Sequence, residues 1–172
     1  MSKVYDIYTD GAFDYKTSIG AYAFCVFDII EGKKKLIHAE SGVVKNATCN
    51  RAEYEAFIKA CEFSIENLVF DKLLIKSDSS LLVNTYNKWA EAWVAKNKLH
   101  KMKNTDLVLH LLQLKQQFKE SLCLTWVKGH AGILGNEIAD KLAQRVIDTE
   151  KKRRMNRDAS FWFQSRFVNA TS

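Results

Sequence analysis

Three strand-like segments open the chain, and the connections between them are too short for a crossover helix. They span residues 3–9, 19–28 and 34–44 and are rich in the β-branched and aromatic residues that favour strands. A parallel return needs a connection of about a dozen residues or more, so strands joined this closely pair antiparallel. The opening of the chain therefore predicts an antiparallel meander.

The rest of the chain alternates helical and strand-like patterns. The predicted elements are a helix over 50–66, a strand over 72–77, helices over 79–93 and 104–118, a strand over 122–127 and a helix over 135–151. The last helix is expected to bury Ile138, Ala139, Leu142, Ala143 and Val146. This order predicts an α/β fold in which helices flank a mixed sheet.

Length and composition restrict the class of protein. The 172 residues are 47% apolar and 27% charged, as in a single globular domain. No run of about 18 apolar residues exists, and strand-like sequence from Lys3 leaves no room for a signal peptide. The four cysteines lack the CxxC spacing of a zinc site. We expect a monomer that is not secreted, does not bind a membrane and works in the cytoplasm or another reducing compartment.

Positive charge is concentrated in two places. The net charge is +6, and residues 151–172 carry six basic residues against one acidic residue, which leaves residues 1–150 with about +1. A second basic cluster consists of Lys96, Lys98, Lys101 and Lys103. Such patches favour an anionic partner. We predict a domain over residues 1–150 followed by a basic, aromatic tail over 151–172 that is not an independent domain.

The tail interleaves its cations with aromatic side chains, Phe161-Trp162-Phe163 and Phe167. Two interpretations remain open. The tail could add a nucleic-acid contact, since arginines neutralise phosphates and aromatic rings stack on bases. Alternatively, its aromatic residues could dock on the core.

Four carboxylates stand where packing alone would not place them. Asp10 and Asp78 each end an apolar strand, and ligands of α/β sheets bind beyond such carboxyl ends. Glu53 and Asp140 lie on the apolar stripes of their helices. Acids on buried stripes cost free energy unless a proton, a cation or a metal ion pairs with them.

Each acid also has a purely structural explanation. Asn50 and Glu53 fit a capping box, Asp10 could open a turn, Asp78 could cap the next helix, and Asp140 could favour a helix dipole. Together these explanations require four coincidences. Four converging carboxylates instead suggest Mg²⁺, and two such ions can activate water and stabilise the leaving oxygen of a phosphodiester. Nuclease, phosphatase and polymerase chemistry all fit this spacing.

An ordered set of short motifs carries a resemblance to a known family. The motifs are Tyr8-Thr9-Asp10-Gly11, Asn50-Arg51-Ala52-Glu53, Ser77-Asp78-Ser79, Thr125-Trp126-Val127-Lys128-Gly129-His130-Ala131-Gly132 and Gly135-Asn136-Glu137-Ile138-Ala139-Asp140. In this order they resemble the type I ribonuclease H family over residues 3–147. The resemblance implies a ribonuclease H-like fold with a five-stranded sheet in the order 3-2-1-4-5.

The resemblance also implies an activity. Family members are endonucleases that hydrolyse the RNA strand of an RNA–DNA hybrid with two Mg²⁺ ions, or Mn²⁺, and leave 3′-hydroxyl and 5′-phosphate ends. Asp10, Glu53, Asp78 and Asp140 match the metal-binding carboxylates. His130 matches a loop histidine that helps to move protons or to release product, which suits a side chain that changes charge near neutral pH.

The resemblance also implies which residues bind the substrate. Thr48 and Asn104 align with a pocket for a DNA phosphate, Asn50 with a contact near the RNA 2′-hydroxyls, and Trp89 and Trp93 with aromatic residues of the DNA channel. The second basic cluster lies where many members have a basic protrusion. The full set implied for substrate binding is Gly11, Thr48, Cys49, Asn50, Ser79, Trp89, Trp93, Lys96, Lys98, Lys101, Lys103, Asn104 and Asn136.

The sequence departs from the family pattern in places that do not include the metal ligands. Cys49 replaces a common asparagine, and residues 13–18 lack the usual glycine and proline. We expect activity to survive and hybrid affinity to shift. Three alternatives are a non-catalytic hybrid-binding module, a recombinase or transposase core, and a ribonuclease H module of a reverse transcriptase.

Overall fold

One mixed sheet organises the protein. The computed structural model describes the backbone of residues 1–170 and the side chains of residues 1–166. The strands are β1 (Val4–Asp14), β2 (Ile19–Ile30), β3 (Lys33–Val44), β4 (Lys72–Ser77) and β5 (Leu122–Trp126). Their spatial order is β3-β2-β1-β4-β5, which confirms the predicted topology. The first three strands form the predicted antiparallel meander, and β4 and β5 add in parallel.

The central strand is longer than its parallel neighbour, and this difference creates an edge. The pairing of β1 with β4 ends at Thr9 and Ser77, whereas β1 continues beside β2 as far as Asp14. Asp10 and Asp78 therefore come one residue after the last β1–β4 pair. The two acids face the same edge because the two strands are parallel neighbours, as the sequence predicts.

Helices cover both faces of the sheet. They are α1 (Cys49–Asn67), α2 (Ser80–Asn84), α3 (Ala90–Ala95), α4 (Thr105–Phe118) and α5 (Leu134–Ala170). The larger core joins one face to α1 and α4 through buried residues such as Ile7, Phe24, Phe57, Ile75 and Leu111. On the other face, α5 packs its small residues against the alanines of β2. Within residues 1–170, no helix has both the length and the apolar character needed to cross a membrane.

The helix predicted over 79–93 is interrupted by a different helical geometry. Between α2 and α3, residues Thr85–Trp89 form a single π-helical turn. The Lys115 ammonium donates to the carbonyl oxygens of Tyr86 and Asn87 at 3.0 and 3.1 Å. A side chain from α4 thus satisfies carbonyl groups in the turn, which is one way that a local departure from α-helical pairing is tolerated.

Helix α5 corrects two expectations about the end of the chain. The helix does not end near residue 151 but continues as far as Ala170. The predicted core side of the helix is confirmed: Ala139 and Ala143 are buried, and Ile138, Leu142 and Val146 pack, partly buried, against the core. The side chains of Phe161, Trp162 and Phe163 are 72%, 67% and 69% exposed, so docking of these three on the core is wrong. The side chain of Phe167 lies outside the described residues.

A buried acid on β1 joins three strands. Asp6 is fully buried. Its carboxylate forms ion pairs with Lys34 of β3 and Lys76 of β4, and it accepts a hydrogen bond from the Tyr8 hydroxyl at 3.2 Å. Both ammonium groups also lie over the Tyr8 ring, 5.7 and 5.2 Å from its centre. The carboxylate therefore compensates two positive charges at the middle of the sheet.

Candidate active site

Helix α1 places Glu53 against the end of β1. The helix begins one residue earlier than predicted, because Thr48 caps it by accepting a hydrogen bond from the Arg51 amide at 3.2 Å. A capping box of Asn50 and Glu53 is therefore wrong, and the Glu53 side chain is directed elsewhere. Glu53 is 8% exposed, and one of its carboxylate oxygens is buried without a hydrogen-bond partner among the described residues.

Three of the predicted carboxylates converge. Oxygen atoms of Asp10, Glu53 and Asp78 all lie within 4.8 Å of one another. Burial and the charges of Asp78 and Asp140 raise the pKa of Asp10 to about 8. Burial and the charges of Asp10 and Asp78 raise the pKa of Glu53 as well. All the possible ligands are carboxylate oxygens, and one of them has no hydrogen-bond partner within the described residues. The raised pKa values show that these carboxylates repel one another when ionised. A hard divalent cation would be bound by such oxygens and would offset the repulsion.

Asp140 stands beside this cluster rather than within it. It is the seventh residue of α5, beyond the first turn, so the helix dipole does not explain its position. Its side chain interacts with Asp10 and is 42% exposed. The exposed His130 imidazole lies 3.9 Å from an Asp140 oxygen, measured at Nδ1. The structure thus places the loop histidine next to an acid that is far more accessible than Asp10 and Glu53.

Neighbouring groups orient Asp78. The Asn136 amide donates to an Asp78 carboxylate oxygen at 3.4 Å, and the Trp126 indole donates to the Asp78 carbonyl at 3.0 Å. A Cβ atom at position 129 would lie 2.6 Å from the same carboxylate, so a larger residue in this loop would displace the Asp78 side chain. Ser79, not Asp78, caps α2, which removes the capping explanation for this acid. Trp126 was absent from the predicted site, although its motif contains it.

The predicted phosphate pocket is organised by an arginine that the sequence analysis did not assign. Arg51 donates to the Asn104 side chain at 3.3 Å and forms a two-point contact with Asp106 at 3.0 and 2.8 Å. Since Thr48 caps the same helix turn, Arg51 links the two predicted phosphate ligands. The spacing of three residues from Thr48 is the signal that could have identified it.

The remaining predicted substrate contacts lie on open surface. The Trp89 and Trp93 rings are 6.2 Å apart, and Trp89 is 39% exposed, so these rings are not simple core residues. Cys49 and Asn50 are exposed in the first turn of α1, and Ser79 is half-buried. The basic cluster is fully on the surface, at Lys96, Lys98, Lys101 and Lys103.

Gly11 sets the distance between Asp10 on β1 and Glu53 on α1. A Cβ atom there would approach the backbone of Ala52 and Glu53 to less than 3.0 Å, so β1 and α1 would have to separate. We expect Gly11→Ala to lower the turnover number about 10- to 100-fold, because small displacements of reacting groups are costly. Steady-state hydrolysis assays would measure this loss.

Gly32→Ala is the matched control. Gly32 differs from Gly11 in having a left-handed backbone, φ 74°, and open space around its missing Cβ atom, and it lies in the β2–β3 turn far from the acids. This change should lower thermal stability and leave turnover intact. Equal turnover in the two variants would contradict the role assigned to Gly11.

Comparison with known proteins agrees with this geometry. The family model described as RNase H matches residues 2–148. A protein named ribonuclease H from Dichelobacter nodosus is 32% identical over 154 residues, which cover 87% of this chain and 96% of that relative. The RNase H1 structure from Halobacterium salinarum superimposes with a TM-score of 0.64 at 23% identity, covering 85% of this chain and 98% of that one. The structure of LC11-RNase H1, solved in complex with an RNA/DNA hybrid, superimposes with a TM-score of 0.62 at 22% identity, covering 85% of this chain and 98% of that one.

Proposed function

The chain belongs to the ribonuclease H family, and from this premise we propose that it is an endonuclease that hydrolyses the RNA strand of RNA–DNA hybrids. The observation that carries the proposal is the convergence of Asp10, Glu53 and Asp78 at the carboxyl edge of the sheet. A buried, unpartnered Glu53 oxygen in this cluster supports a site that binds cations, because a merely structural acid would have a partner.

Asp10, Glu53, Asp78 and Asp140 would hold two Mg²⁺ ions, with Mn²⁺ as a substitute. Bound there, the ions would supply charge neutralisation at the scissile phosphate and lower the pKa of an attacking water. The protein contributes a fixed arrangement of oxygens, since Asn136 and Trp126 orient Asp78. Glu53 is fixed by the contact between α1 and Gly11.

Hydrolysis breaks the bond between phosphorus and the 3′ oxygen. The attacking water gives up a proton, the 3′ oxygen accepts one, and the products carry 3′-hydroxyl and 5′-phosphate ends. His130 is placed to carry protons between this edge and solvent, because its Nδ1 atom lies near Asp140 on an exposed loop. The two glycines around it, Gly129 and Gly132, allow the loop its backbone geometry.

Substrate recognition follows the surface around the acids. Thr48, Arg51 and Asn104 would position a phosphate of the DNA strand, and Trp89 with Trp93 would line its path. The four lysines of the basic cluster would add phosphate contacts. Gly11, Cys49, Asn50, Ser79 and Asn136 would complete the substrate contacts, with Asn50 near the RNA 2′-hydroxyls that distinguish RNA from DNA.

The test is cleavage of a hybrid labelled on its RNA strand in the presence of Mg²⁺. We expect RNA cleavage in the hybrid, none in single-stranded RNA or duplex DNA, and complete loss in EDTA. Glu53→Gln should reduce the rate at least about 100-fold, since it removes a carboxylate from the cation site. Glu66→Gln, an exposed position on the same helix, is the matched control and should retain the rate.

Binding of the hybrid without cleavage in either Mg²⁺ or Mn²⁺ would contradict the proposal. That outcome would favour a non-catalytic hybrid-binding module.

A further inference from the structure

The final turns of α5 extend the catalytic domain beyond its family match. The matched region ends at residue 148, whereas the helix continues without a break to Ala170. Residues 151–166 of this helix, called here the α5 extension, carry six basic residues and one acidic residue, a net charge of +5. The extension therefore holds most of the net positive charge of the chain.

Helix α5 runs from the acidic cluster toward the tip of the β1–β2 hairpin. Gly135 lies against Tyr8, and Asp140 lies beside Asp10. Farther along, Lys151 pairs with Asp14 at 2.7 Å. Helix α5 and β1 thus run in the same direction, and both continue past the edge of the sheet where the acids lie. The extension leaves the domain on the side where the acids are.

Two contacts fix the direction of the extension. The Lys151 ammonium lowers the pKa of Asp14 to about 2. One turn later, Arg154 donates to the Thr17 carbonyl at 3.1 Å. These contacts join the helix to the hairpin at the point where the domain ends, so the residues that follow project from an anchored base.

Cations and aromatic rings share the projecting surface. Phe161, Trp162 and Phe163 are all exposed, and the Arg166 guanidinium lies 6.0 Å from the centre of the Trp162 ring. Within residues 1–166, Arg157 has no carboxylate partner within 4.0 Å. Exposed rings interleaved with arginines are the features that bind single-stranded nucleic acid, because rings stack on unpaired bases while cations neutralise phosphates.

The three described aromatic residues, Phe161, Trp162 and Phe163, do not by themselves form the apolar stripe that a second helix would need. Three consecutive helical positions point in directions about 100° apart and so surround the helix. A helical partner requires a stripe with a spacing of three and four residues. A flexible strand can wrap around rings that point in several directions, which favours a single strand over self-association.

We propose that the α5 extension binds single-stranded nucleic acid that continues from the hybrid. The site thereby holds a junction between hybrid and single strand, with Trp162 and its two phenylalanine neighbours on the unpaired bases. From Asp140 to Trp162 the helix rises about 33 Å, which corresponds to roughly ten to twelve base pairs of a hybrid duplex. The inference rests on the proposed function for the position of the hybrid.

The experiment compares two hybrids that differ in an overhang. One is a blunt hybrid of about 12 base pairs, and the other adds a DNA overhang of about 12 nucleotides, so that the duplex spans the distance to the extension. Affinity is measured by fluorescence anisotropy in EDTA, where no cleavage is expected. With the overhang placed at each end in turn, one placement should tighten binding by the native chain about 10-fold. The triple variant Phe161→Ala, Trp162→Ala, Phe163→Ala should lose this gain.

A charge variant tests the phosphate contacts separately. Lys152→Gln, Arg157→Gln and Arg166→Gln together should reduce the salt dependence of overhang binding, by about 2 in the slope of log affinity against log salt. The matched control neutralises three exposed lysines at the opposite edge of the sheet, Lys33, Lys35 and Lys72, and should leave the slope unchanged.

Three results would overturn the inference. They are equal affinity of the native chain for blunt and overhanging hybrids, a gain that persists in the aromatic variant, and a dimer in sedimentation analysis that the aromatic variant abolishes. Cleavage of the blunt hybrid reports on the proposed function instead. Loss of cleavage with a retained overhang effect would therefore count against the nuclease alone.

Discussion

Asp10→Asn is expected to abolish RNA cleavage and, in the same protein, to stabilise the metal-free fold. The loss of rate should reach about 1,000-fold, because the variant removes the central carboxylate of the cation site and with it several kcal/mol of stabilisation in the transition state. The gain in stability has a separate cause. Asp10 is 5% exposed and lies among carboxylates whose charges oppose its ionisation.

The sign of the stability effect follows from proton binding. The pKa of Asp10 rises from its ordinary value of 3.8 to about 8 in the folded protein, so above pH 4 the folded state holds a proton that the unfolded state has released. The free energy of unfolding of the metal-free protein should therefore fall as pH rises from about 4 to 8. Asn at position 10 removes this cost, which at about 1.4 kcal/mol per pKa unit is on the order of 5 kcal/mol near pH 8.

Thermal melts in EDTA at several pH values measure this effect. The variant should melt about 10–20 °C higher than the native chain at pH 8 and show a flatter dependence of Tm on pH. Near pH 4 the two proteins should melt alike. Glu66→Gln removes a negative charge from open surface and should not alter Tm. A native-like melting profile of Asp10→Asn at pH 8 would show that the acids do not repel one another in the folded protein.

Asp6→Ala is expected to cause a large loss of stability with no direct effect on chemistry. The change leaves the Lys34 and Lys76 ammonium groups beside each other over the Tyr8 ring, with no carboxylate to compensate them. Breaking a buried ion pair from one side typically costs about 3–5 kcal/mol. Both lysines retain some access to water, so we expect a loss of about 3 kcal/mol.

Denaturant titration would give the free energy of unfolding. Asp6→Asn keeps the shape of the side chain and an oxygen acceptor, and should lose less stability than Asp6→Ala. Asp148→Ala, at an exposed position on α5, should unfold at the native denaturant concentration. If the free energy of unfolding of Asp6→Ala were within about 1 kcal/mol of the native value, the two ammonium groups would have to be solvated without Asp6. The ion-pair cluster would then not stabilise the sheet.

Much of the fold could be predicted because its signals are local. Short connections determine the antiparallel meander, and a strand that follows a helix can return parallel beside β1. The same reasoning predicts the acids at positions 10 and 78 at one edge. Asp78 directly follows β4, whereas Asp10 lies within β1 and comes one residue after its last pair with β4, because β1 continues beside β2 as far as Asp14. The positions of Glu53 and Asp140 depended on helical spacing, and the structure brings both to Asp10.

The errors arose where several local signals compete or where the cause lies elsewhere in the chain. Thr48 and Asn50 are both good N-caps, and the sequence pattern alone does not show that Thr48 is the one that accepts the hydrogen bond. The π turn depends on carbonyl contacts with Lys115, some 28 residues away, so no periodicity in its own segment indicates it. The end of α5 was misplaced because a change of composition at residue 151 does not terminate a helix. Only glycine, proline or a capping contact does so, and residues 151–166 contain no glycine or proline.

The π turn at Thr85–Trp89 also determines the direction in which the tryptophan pair points. A π turn accommodates one more residue than an α turn, and each helical residue advances about 100° around the axis. Deleting one residue from this turn would rotate α3, with Trp93, by about that angle relative to α2. The extra residue therefore sets the rotation of α3 about the helix axis, and the two hydrogen bonds from Lys115 to carbonyl oxygens of the turn stabilise the rotation at which the Trp89 ring reaches the surface.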